Sequence, residues 1–280
     1  MTPRSSPTVS VVIPCHNSRH FLAETVASVA AQHFTGFEVV LVDDGSTDDT
    51  RALIDRLIQA YPALEMRAVD KPCGGVASAR NAGIAVARGR YILPLDADDL
   101  IAPGMLAEAA ALLDADPSIG IVCTDREDFG DIQRHVASGP FELDRLKYFN
   151  QVAYCSMYRR EVWDAVGGYR SNVDGFDDWD FWIAAALRGA RATHLRRAHL
   201  RHRRRGDSFM WTLLDRYEVL HARIILNNAD AYSEAEVAMA RDYLDHGTPA
   251  PLLQSARFIY LTRYYEGYEI APTAPALITR

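Results

Sequence analysis

Tyr91-Ile92-Leu93-Pro94-Leu95-Asp96-Ala97-Asp98-Asp99 is the stretch that most restricts the fold, because an apolar run leads directly into a cluster of acids. The apolar residues 91–95 predict a short strand that is buried on both faces. The acids then fall at the carboxyl end of that strand. Ligands of open parallel sheets bind at the carboxyl ends of strands, so this cluster is the first candidate for ligand contacts.

The chain on both sides of this stretch alternates buried strands with helices. Further strands are predicted from continuous apolar runs at Val9–Ile13, Phe37–Val42, Leu64–Val69 and Ile119–Cys123. Helical patterns separate them, and Ser18 and Ser46 are the predicted caps of the first two helices. Strand and helix in regular alternation predict parallel βαβ units in one sheet.

Polar residues also follow each of the first three predicted strands. His16 and Asn17 follow the first strand, Asp43 and Asp44 follow the second, and Lys71 follows the third. Because parallel strands end at the same edge of a sheet, these residues should meet the acids of residues 96–99. The four clusters together predict a nucleotide pocket.

The composition is that of an ordinary globular protein with an acidic balance. The chain has 280 residues, 49% of them apolar, and a formal net charge of −7. An acidic balance argues against nucleic acid as a partner, since nucleic-acid-binding domains usually carry a basic surface. Four cysteines occur without C-x-x-C spacing, which argues against a zinc ribbon. The N-terminal residues lack an apolar leader, so we expect a cytoplasmic protein with reduced thiols.

The acidic cluster suits a hard divalent cation, Mg²⁺ or Mn²⁺. Asp96 and Asp98 stand two residues apart where the chain leaves the strand. Such cations prefer carboxylate oxygens, and a cation here would neutralise a bound diphosphate. Taken alone, the same pattern is also typical of an aspartate-rich turn that caps the next helix.

Four motifs in order carry a specific resemblance. They are Val9–Asn17 (VSVVIPCHN), Val42–Asp48 (VDDGSTD), Ala79–Gly83 (ARNAG) and Gly89–Asp99 (GRYILPLDADD). In sequence and spacing the chain resembles the family-2 glycosyltransferases, closely through the acidic cluster and more loosely as far as about residue 210.

The resemblance implies the fold called GT-A. This is an α/β fold with a Rossmann-like, mostly parallel sheet flanked by helices, expected over residues 1–208. Within it we predict an edge strand at Gln151–Met157 and two short strands in residues 188–205. The helical patterns at Trp211–Leu226, Ser233–His246 and Pro251–Tyr265 predict a helical C-terminal extension over residues 209–280.

The resemblance also implies contacts to a nucleotide-sugar donor. Asp44 would hydrogen-bond the base, and His16 stands where many members have a tyrosine that lies over the base. Arg80 would touch the base or a phosphate, or else pair with an aspartate. The implied donor contacts at the strand ends are Pro14, His16, Asn17, Asp44, Lys71, Arg80, Asp96 and Ala97.

Metal ligands are implied at two places. In the acidic cluster, Asp98 would bind the cation directly and Asp99 is the second candidate. In the basic stretch of residues 196–205, His202 or alternatively His199 would complete the metal shell, while Arg203 and Arg205 would hold the donor diphosphate. The same basic stretch could instead face anionic lipid, or be a solvated strand and loop.

The segment Phe176-Asp177-Asp178-Trp179-Asp180 resembles the family's acidic E-D-x-D segment. An acceptor hydroxyl needs a general base to remove its proton as it attacks. The resemblance assigns this role to Asp178, with Asp177 as the alternative. Aspartates also favour helix N-termini for reasons of the helix dipole, which is the competing interpretation.

We therefore expect an inverting transferase that uses a UDP- or dTDP-sugar. The acceptor would be a glycan, a lipid-linked sugar or a small natural product. Two rival hypotheses are a sugar-1-phosphate nucleotidyltransferase and a non-catalytic protein of the same fold that binds nucleotides or glycans. The aromatic residues of segment 257–268 could pack onto the main domain, form a wall of the acceptor site, form the face of a homodimer, or make peripheral contact with the inner face of the cell membrane.

Overall fold

The computed structural model describes residues 7–205 and 213–264, which are organised around one mixed β-sheet. The spatial order of its main strands is β3-β2-β1-β4-β8-β6-β9-β5, and β7 pairs with β6. The strands are β1 Val9–Cys15, β2 Phe37–Asp44, β3 Glu65–Lys71, β4 Tyr91–Pro94, β5 Leu100–Ile101, β6 Ile121–Gly130, β7 Arg134–Val136, β8 Met157–Arg159 and β9 Ala192–Arg204.

The first four strands run parallel, as predicted. Every residue of β2 is buried, and its side chains alternate between two cores. Val39 and Leu41 pack on one face of the sheet, while Val40 and Val42 pack on the other. A continuous apolar run is the pattern of a strand covered on both faces. Strand β1 has β2 on one side and β4 on the other, so the strand order reverses at β1. In α/β sheets, ligands bind in the crevice at the carboxyl ends of the strands beside such a reversal.

The other half of the sheet departs from the predicted pattern. The predicted edge strand at Gln151–Met157 is wrong, because the strand that forms is β8 and it lies between β4 and β6, antiparallel to both. The two short strands predicted in residues 188–205 are one long strand, β9, parallel to β6. Its pairing shifts register around Asp125, and this irregularity breaks the period-2 pattern on which the prediction relied.

Helices cover both faces of the sheet. Helix α3 packs closely against the sheet, because a Cβ added at Gly83 would lie 2.4 Å from Val12 Cγ1. The helices before the C-terminal region are α1 Leu22–Ala30, α2 Thr50–Ala60, α3 Val76–Val86, α4 Met105–Ala115, α5 Leu143–Leu146, α6 Arg160–Val166 and α7 Asp177–Leu187.

The two predicted serine caps are wrong. Helix α1 begins only at Leu22, and the Ser18 hydroxyl donates to the His16 carbonyl at 3.2 Å. Helix α2 begins at Thr50, whose N–H donates to Asp48 Oδ1 at 2.9 Å. The loops after β1 and β2 thus each run on past the serine before the helix begins.

The C-terminal region is helical where it is described. It contains α8 Tyr217–Asn227, α9 Glu234–His246 and α10 Pro251–Tyr264. Ser233 and Glu236 form a reciprocal capping box at the start of α9. The predicted domain boundary at residues 208/209, the start of the predicted helix at Trp211 and the end of segment 257–268 lie outside the described residues. Among the described helices, each is too short or too polar to cross a membrane.

Candidate active site

Asp44, at the end of β2, organises one end of the candidate site. It is 3% exposed. Its carboxylate accepts hydrogen bonds from the Gly74 N–H at 3.0 Å and the Gly75 N–H at 2.8 Å, and it pairs with the Lys71 ammonium. A carboxylate offers about four lone-pair positions, so three donors leave about one open. Asp44 can therefore accept one further N–H, such as that of a pyrimidine base.

His16 and Asn17 extend this end of the site from the loop after β1. His16 Nδ1 lies 2.9 Å from the Asp44 carbonyl oxygen, so the exposed ring donates its Nδ1–H there. Asn17 has a φ of 50°, and its Oδ1 accepts the Thr47 N–H at 2.8 Å. Pro14 lies within β1, opposite Val42. Asn17 thus ties the loop after β1 to the loop after β2, with the His16 ring beside Asp44.

Arg80 on α3 joins two acidic segments that are distant in sequence. Its guanidinium donates to Asp96 Oδ1 at 2.7 Å and to Asp177 Oδ2 at 2.6 Å. It is 4% exposed and lies over the rings of Tyr154 and Tyr169. Burial alone would lower the Arg80 pKa, but the charges of Asp177 and Asp96 raise it well above its usual value. Of the two alternatives left open by the sequence, the described residues favour the pairing with aspartates.

Asp98 and Asp99 have different surroundings. Asp99 is 1% exposed, and its carboxylate accepts the Tyr154 hydroxyl at 2.6 Å and the Arg203 N–H at 2.7 Å. Burial raises the pKa of Asp99 to about 7. Asp98 keeps 32% of its side chain exposed and lies 3.2 Å from Arg205. Asp98 is thus accessible to a ligand, while Asp99 is held by the protein.

The carbonyl of Ala97, between Asp96 and Asp98, accepts the Thr25 hydroxyl at 2.9 Å, which fixes the loop against α1. Arg203, in turn, donates its Nε–H to the Asp98 carbonyl at 2.8 Å and reaches Glu24 at 2.7 Å. The basic strand β9 is therefore fastened to the acidic loop through backbone and side-chain contacts.

His202 on β9 is oriented by a buried carboxylate. Its Nδ1 lies 3.2 Å from Asp128 Oδ1, and Asp128 is itself bound by Arg126 at 2.9 Å and Arg134 at 2.7 Å. Burial alone would raise the Asp128 pKa, but the His202 hydrogen bond and the two arginines hold it below its usual value. Metal-binding histidines commonly donate their second ring N–H to a carboxylate in this way.

Asp98 and His202 supply a carboxylate and an imidazole, which are donor types that a divalent cation can use. Burial and the neighbouring Asp96 raise the Asp98 pKa, while the charges of Arg205 and His202 lower it. Crowded carboxylates with raised pKa values are stabilised by a nearby positive charge. Asp99 fits less well as a ligand, because each of its oxygens already accepts a hydrogen bond.

Asp178 differs from the other acids at the start of α7. Asp177 is bound to Arg80, and Asp180 lies 3.1 Å from Arg170. Asp178 is only partly buried and accepts a hydrogen bond from Asn150 at 2.9 Å. Burial, and then the charge of Asp177, raise the Asp178 pKa to about 7. A carboxylate with this pKa can accept a proton near neutral pH.

A continuous set of contacts joins Asp44 to α7. Asp174 Oδ1 accepts the Ala77 N–H at 3.0 Å, and a Cβ added at Gly75 would meet Asp174 Oδ2 at 2.4 Å. The neighbouring Gly75 N–H donates to Asp44, and Arg80 on the same helix reaches Asp177. Helix α3 therefore links the end of β2 to both acidic segments.

The sequence analysis did not single out four side chains that hold this arrangement together. They are Asp128, Asn150, Tyr154 and Asp174, and all lie in the irregular stretch of residues 126–176. Their contacts are long-range, and no spacing rule within the sequence predicts them.

The fold and its acidic edge define an α/β domain of the GT-A type, with a basic strand packed against the acids. The chain matches the family model described as "Glycosyl transferase family 2" over residues 10–167, and it belongs to that family.

Known proteins support the same assignment. Chondroitin synthase of Pasteurella multocida (strain Pm70) is 28% identical over 181 residues, which are 63% of this chain and 18% of that protein. The chain therefore spans less than a fifth of this relative. S. aureus TarS 1–349 in complex with UDP-GlcNAc shares the fold with a TM-score of 0.65 at 23% identity, covering 92% of this chain and 81% of that one.

The mannosyltransferase PcManGT from Pyrobaculum calidifontis, in complex with GDP-Man and Mn²⁺, also shares the fold. Its TM-score is 0.64 at 22% identity, over 96% of this chain and 78% of that one. These likenesses confirm the predicted α/β architecture of the GT-A type.

Replacing Arg80 by methionine should destabilise the protein by about 3–5 kcal/mol, because Asp177 would be left as an uncompensated buried charge. The matched control is Arg90→Met, since Arg90 and Asp114 form an exposed pair that is worth about 1 kcal/mol or less. Urea unfolding followed by circular dichroism measures both. Equal losses in the two variants would contradict the assigned role of Arg80.

Proposed function

We propose that this chain is a glycosyltransferase that passes a sugar from a nucleoside-diphosphate donor, a UDP- or dTDP-sugar, to an acceptor hydroxyl with inversion. The observation that carries the proposal is the double ion pair of Arg80. Arg80 pairs with Asp96 of the acidic loop and with Asp177 at the start of α7. This supports the proposal because Asp98 and Asp178, the proposed cation ligand and base, belong to those same two segments, and an inverting transfer needs both groups near the reacting sugar.

The donor would lie along the carboxyl ends of the strands. Asp44 would accept an N–H of the base with its remaining lone pair, and the His16 ring would stack on the base. Asp96 would meet the ribose. The fold relatives with bound UDP-GlcNAc and GDP-Man support a nucleotide-sugar donor. Asp44 and Lys71, as an acceptor and a donor side by side, favour a pyrimidine base with an N–H next to a carbonyl.

Asp98 and His202 would hold Mg²⁺ or Mn²⁺. When bound, the cation would neutralise the charge that develops on the departing diphosphate. Arg205 is paired with Asp98 here, and exchange of that pairing would turn its guanidinium toward the phosphates. Arg203 and Asp99 would hold the acidic loop in position without contacting the donor.

Asp178 would remove the proton of the acceptor hydroxyl while that oxygen attacks the anomeric carbon. The nucleoside diphosphate would leave from the opposite face, so a single displacement inverts the anomeric configuration. Asp177, bound to Arg80, would hold the helix start in place and is the less suitable base. A non-catalytic nucleotide-binding protein is the rival, and it predicts donor binding without turnover.

A screen of UDP-, dTDP- and GDP-sugars for Mn²⁺-dependent hydrolysis tests whether the protein is a glycosyltransferase. In it, Asp178→Asn should lower turnover by about 10²–10⁴-fold, the usual contribution of a general base. UDP affinity should stay unchanged, because Asp178 lies outside the donor contacts. The control is Asp164→Asn, an exposed aspartate on α6. Wild-type turnover in Asp178→Asn would remove Asp178 from the mechanism.

The pH profile provides a second prediction for the same residue. Burial raises the Asp178 pKa to about 7, and only the ionised carboxylate can accept the proton. The ratio kcat/KM should therefore fall about tenfold per pH unit below pH 7 and level off above it. Steady-state rates between about pH 5 and about pH 9 measure it. A profile that stays level through the acid range would argue against a base with a raised pKa.

The metal assignment is tested through binding. Asp98→Ala should abolish the gain in UDP affinity that Mn²⁺ brings, as measured by titration calorimetry with and without Mn²⁺. Asp128→Asn should weaken Mn²⁺ binding by about 10–100-fold, because His202 would lose the carboxylate that orients it. Asp55→Ala, an exposed acid on α2, is the control. Identical Mn²⁺-dependent UDP affinity in wild type and Asp98→Ala would reject the assignment.

A further inference from the structure

A compact group of metal-binding side chains lies at the end of the site opposite the acidic loop. It consists of His16, Asp44 and Cys73, and one ligand atom of each lies within 4.8 Å of the others. The three residues come from separate segments, namely the loop after β1, the end of β2 and the loop between β3 and α3. Their donors are an imidazole nitrogen, a carboxylate oxygen and a thiol sulfur, which is a set that suits zinc.

The His16 ring is already oriented as a ligand. Its Nδ1–H donates to the Asp44 carbonyl at 2.9 Å, so the lone pair is on Nε2. The Asn17 side-chain amide, 3.4 Å from Nε2, is consistent with that tautomer. A backbone carbonyl on one ring nitrogen is a common second partner of a zinc-binding histidine. This hydrogen bond is independent of the clustering itself.

Cys73 is held close to Asp44 by its own loop. The next two amides, of Gly74 and Gly75, both donate to the Asp44 carboxylate. On the other side, a Cβ added at Gly45 would lie 2.7 Å from the Cys73 nitrogen. The backbone around Cys73 is therefore packed, while its thiol is exposed. The other three cysteines are buried, and burial raises their thiol pKa values.

We propose that His16, Cys73 and Asp44 form a zinc-binding site that competes with the nucleobase. Ligand atoms around a tetrahedral zinc lie about 3.4–3.6 Å apart, so the exposed His16 and Cys73 side chains need to close by about 1 Å. Binding would release the thiol proton to solvent and leave a zinc thiolate. Lys71 would give up its pairing with Asp44, and water would complete the coordination.

Donor chemistry separates this site from the acidic loop. Mg²⁺ prefers oxygen ligands, and only Asp44 offers them here, whereas zinc and cobalt accept sulfur and imidazole. The zinc site itself is independent of the proposed function. Its competition with the nucleobase rests on that function, because only a base bound beside Asp44 would be displaced.

Cobalt provides the test, because a thiolate bound to Co²⁺ gives a near-ultraviolet charge-transfer band that other ligands do not. The full chain is titrated with Co²⁺ in a phosphine reductant, and Zn²⁺ is then added to displace the cobalt. The variants are Cys73→Ser and His16→Ala, both at exposed positions. The controls are His20→Ala, an exposed histidine outside the group, and Asp98→Ala at the acidic loop.

The expected result is a thiolate band that saturates at one equivalent and disappears when zinc is added. The band should be lost in Cys73→Ser, be weakened in His16→Ala by at least about tenfold in affinity, and persist in both controls. A wild-type protein without the band would overturn the proposal. So would a band that survives in Cys73→Ser or one that is lost in Asp98→Ala.

Competition with uridine tests the zinc site and the proposed nucleobase pocket separately. Uridine is used instead of UDP because the diphosphate of UDP would itself chelate the metal. Displacement of bound cobalt by uridine supports both the zinc site and the base pocket. A Cys73-dependent band that uridine leaves unchanged supports the zinc site and contradicts the assignment of Asp44 to the nucleobase.

Discussion

The arrangement of the candidate site depends on one buried cation, Arg80. Its guanidinium neutralises Asp96 and the buried Asp177, two carboxylates that otherwise would repel each other. The rings of Tyr154 and Tyr169 fix the guanidinium between them. Because α3 carries Arg80, the close packing of that helix on the sheet also sets the distance between the two acidic segments. The small residues of α3 are therefore required for the geometry of the site as well as for packing of the core.

Two classes of acid result from this arrangement. Asp99 and Asp177 have their oxygens occupied by protein donors, so they stabilise the loop and the helix start. Asp98 and Asp178 stand directly beside them and are less enclosed, and burial raises the pKa of each. The charge of Asp96 adds to the rise at Asp98, and the charge of Asp177 adds to the rise at Asp178. Each adjacent pair thus contains one acid that holds the geometry and one that is open to chemistry.

The sequence predicts the parts of this site that follow from local pattern. The continuous apolar runs of β1, β2 and β4 identify buried parallel strands, and the acids after them follow from the motifs. The position of β8 could not be predicted, because a three-residue strand carries almost no periodic signal and its place between β4 and β6 is set by long-range pairing. Tyr154 and Asp128 were missed for the same reason. The resemblance already favours Asp98 over Asp99 as the metal ligand, but the physical reason needed the structure, since it is Asp99 that accepts the Arg203 N–H of β9.

The two ends of the site use the same residue type in opposite electrostatic environments. Asp44 is surrounded by two amide donors and the Lys71 ammonium, so its charge is largely compensated within the protein. The acidic loop places Asp96, Asp98 and Asp99 within four residues, and Arg80 compensates only the first of them directly. A hard cation would therefore be stabilised more by the charges of the acidic loop than by the charge of Asp44. Only a metal that can use sulfur and imidazole has reason to bind beside Asp44, so the two proposed sites would select hard and soft cations through their different donor atoms.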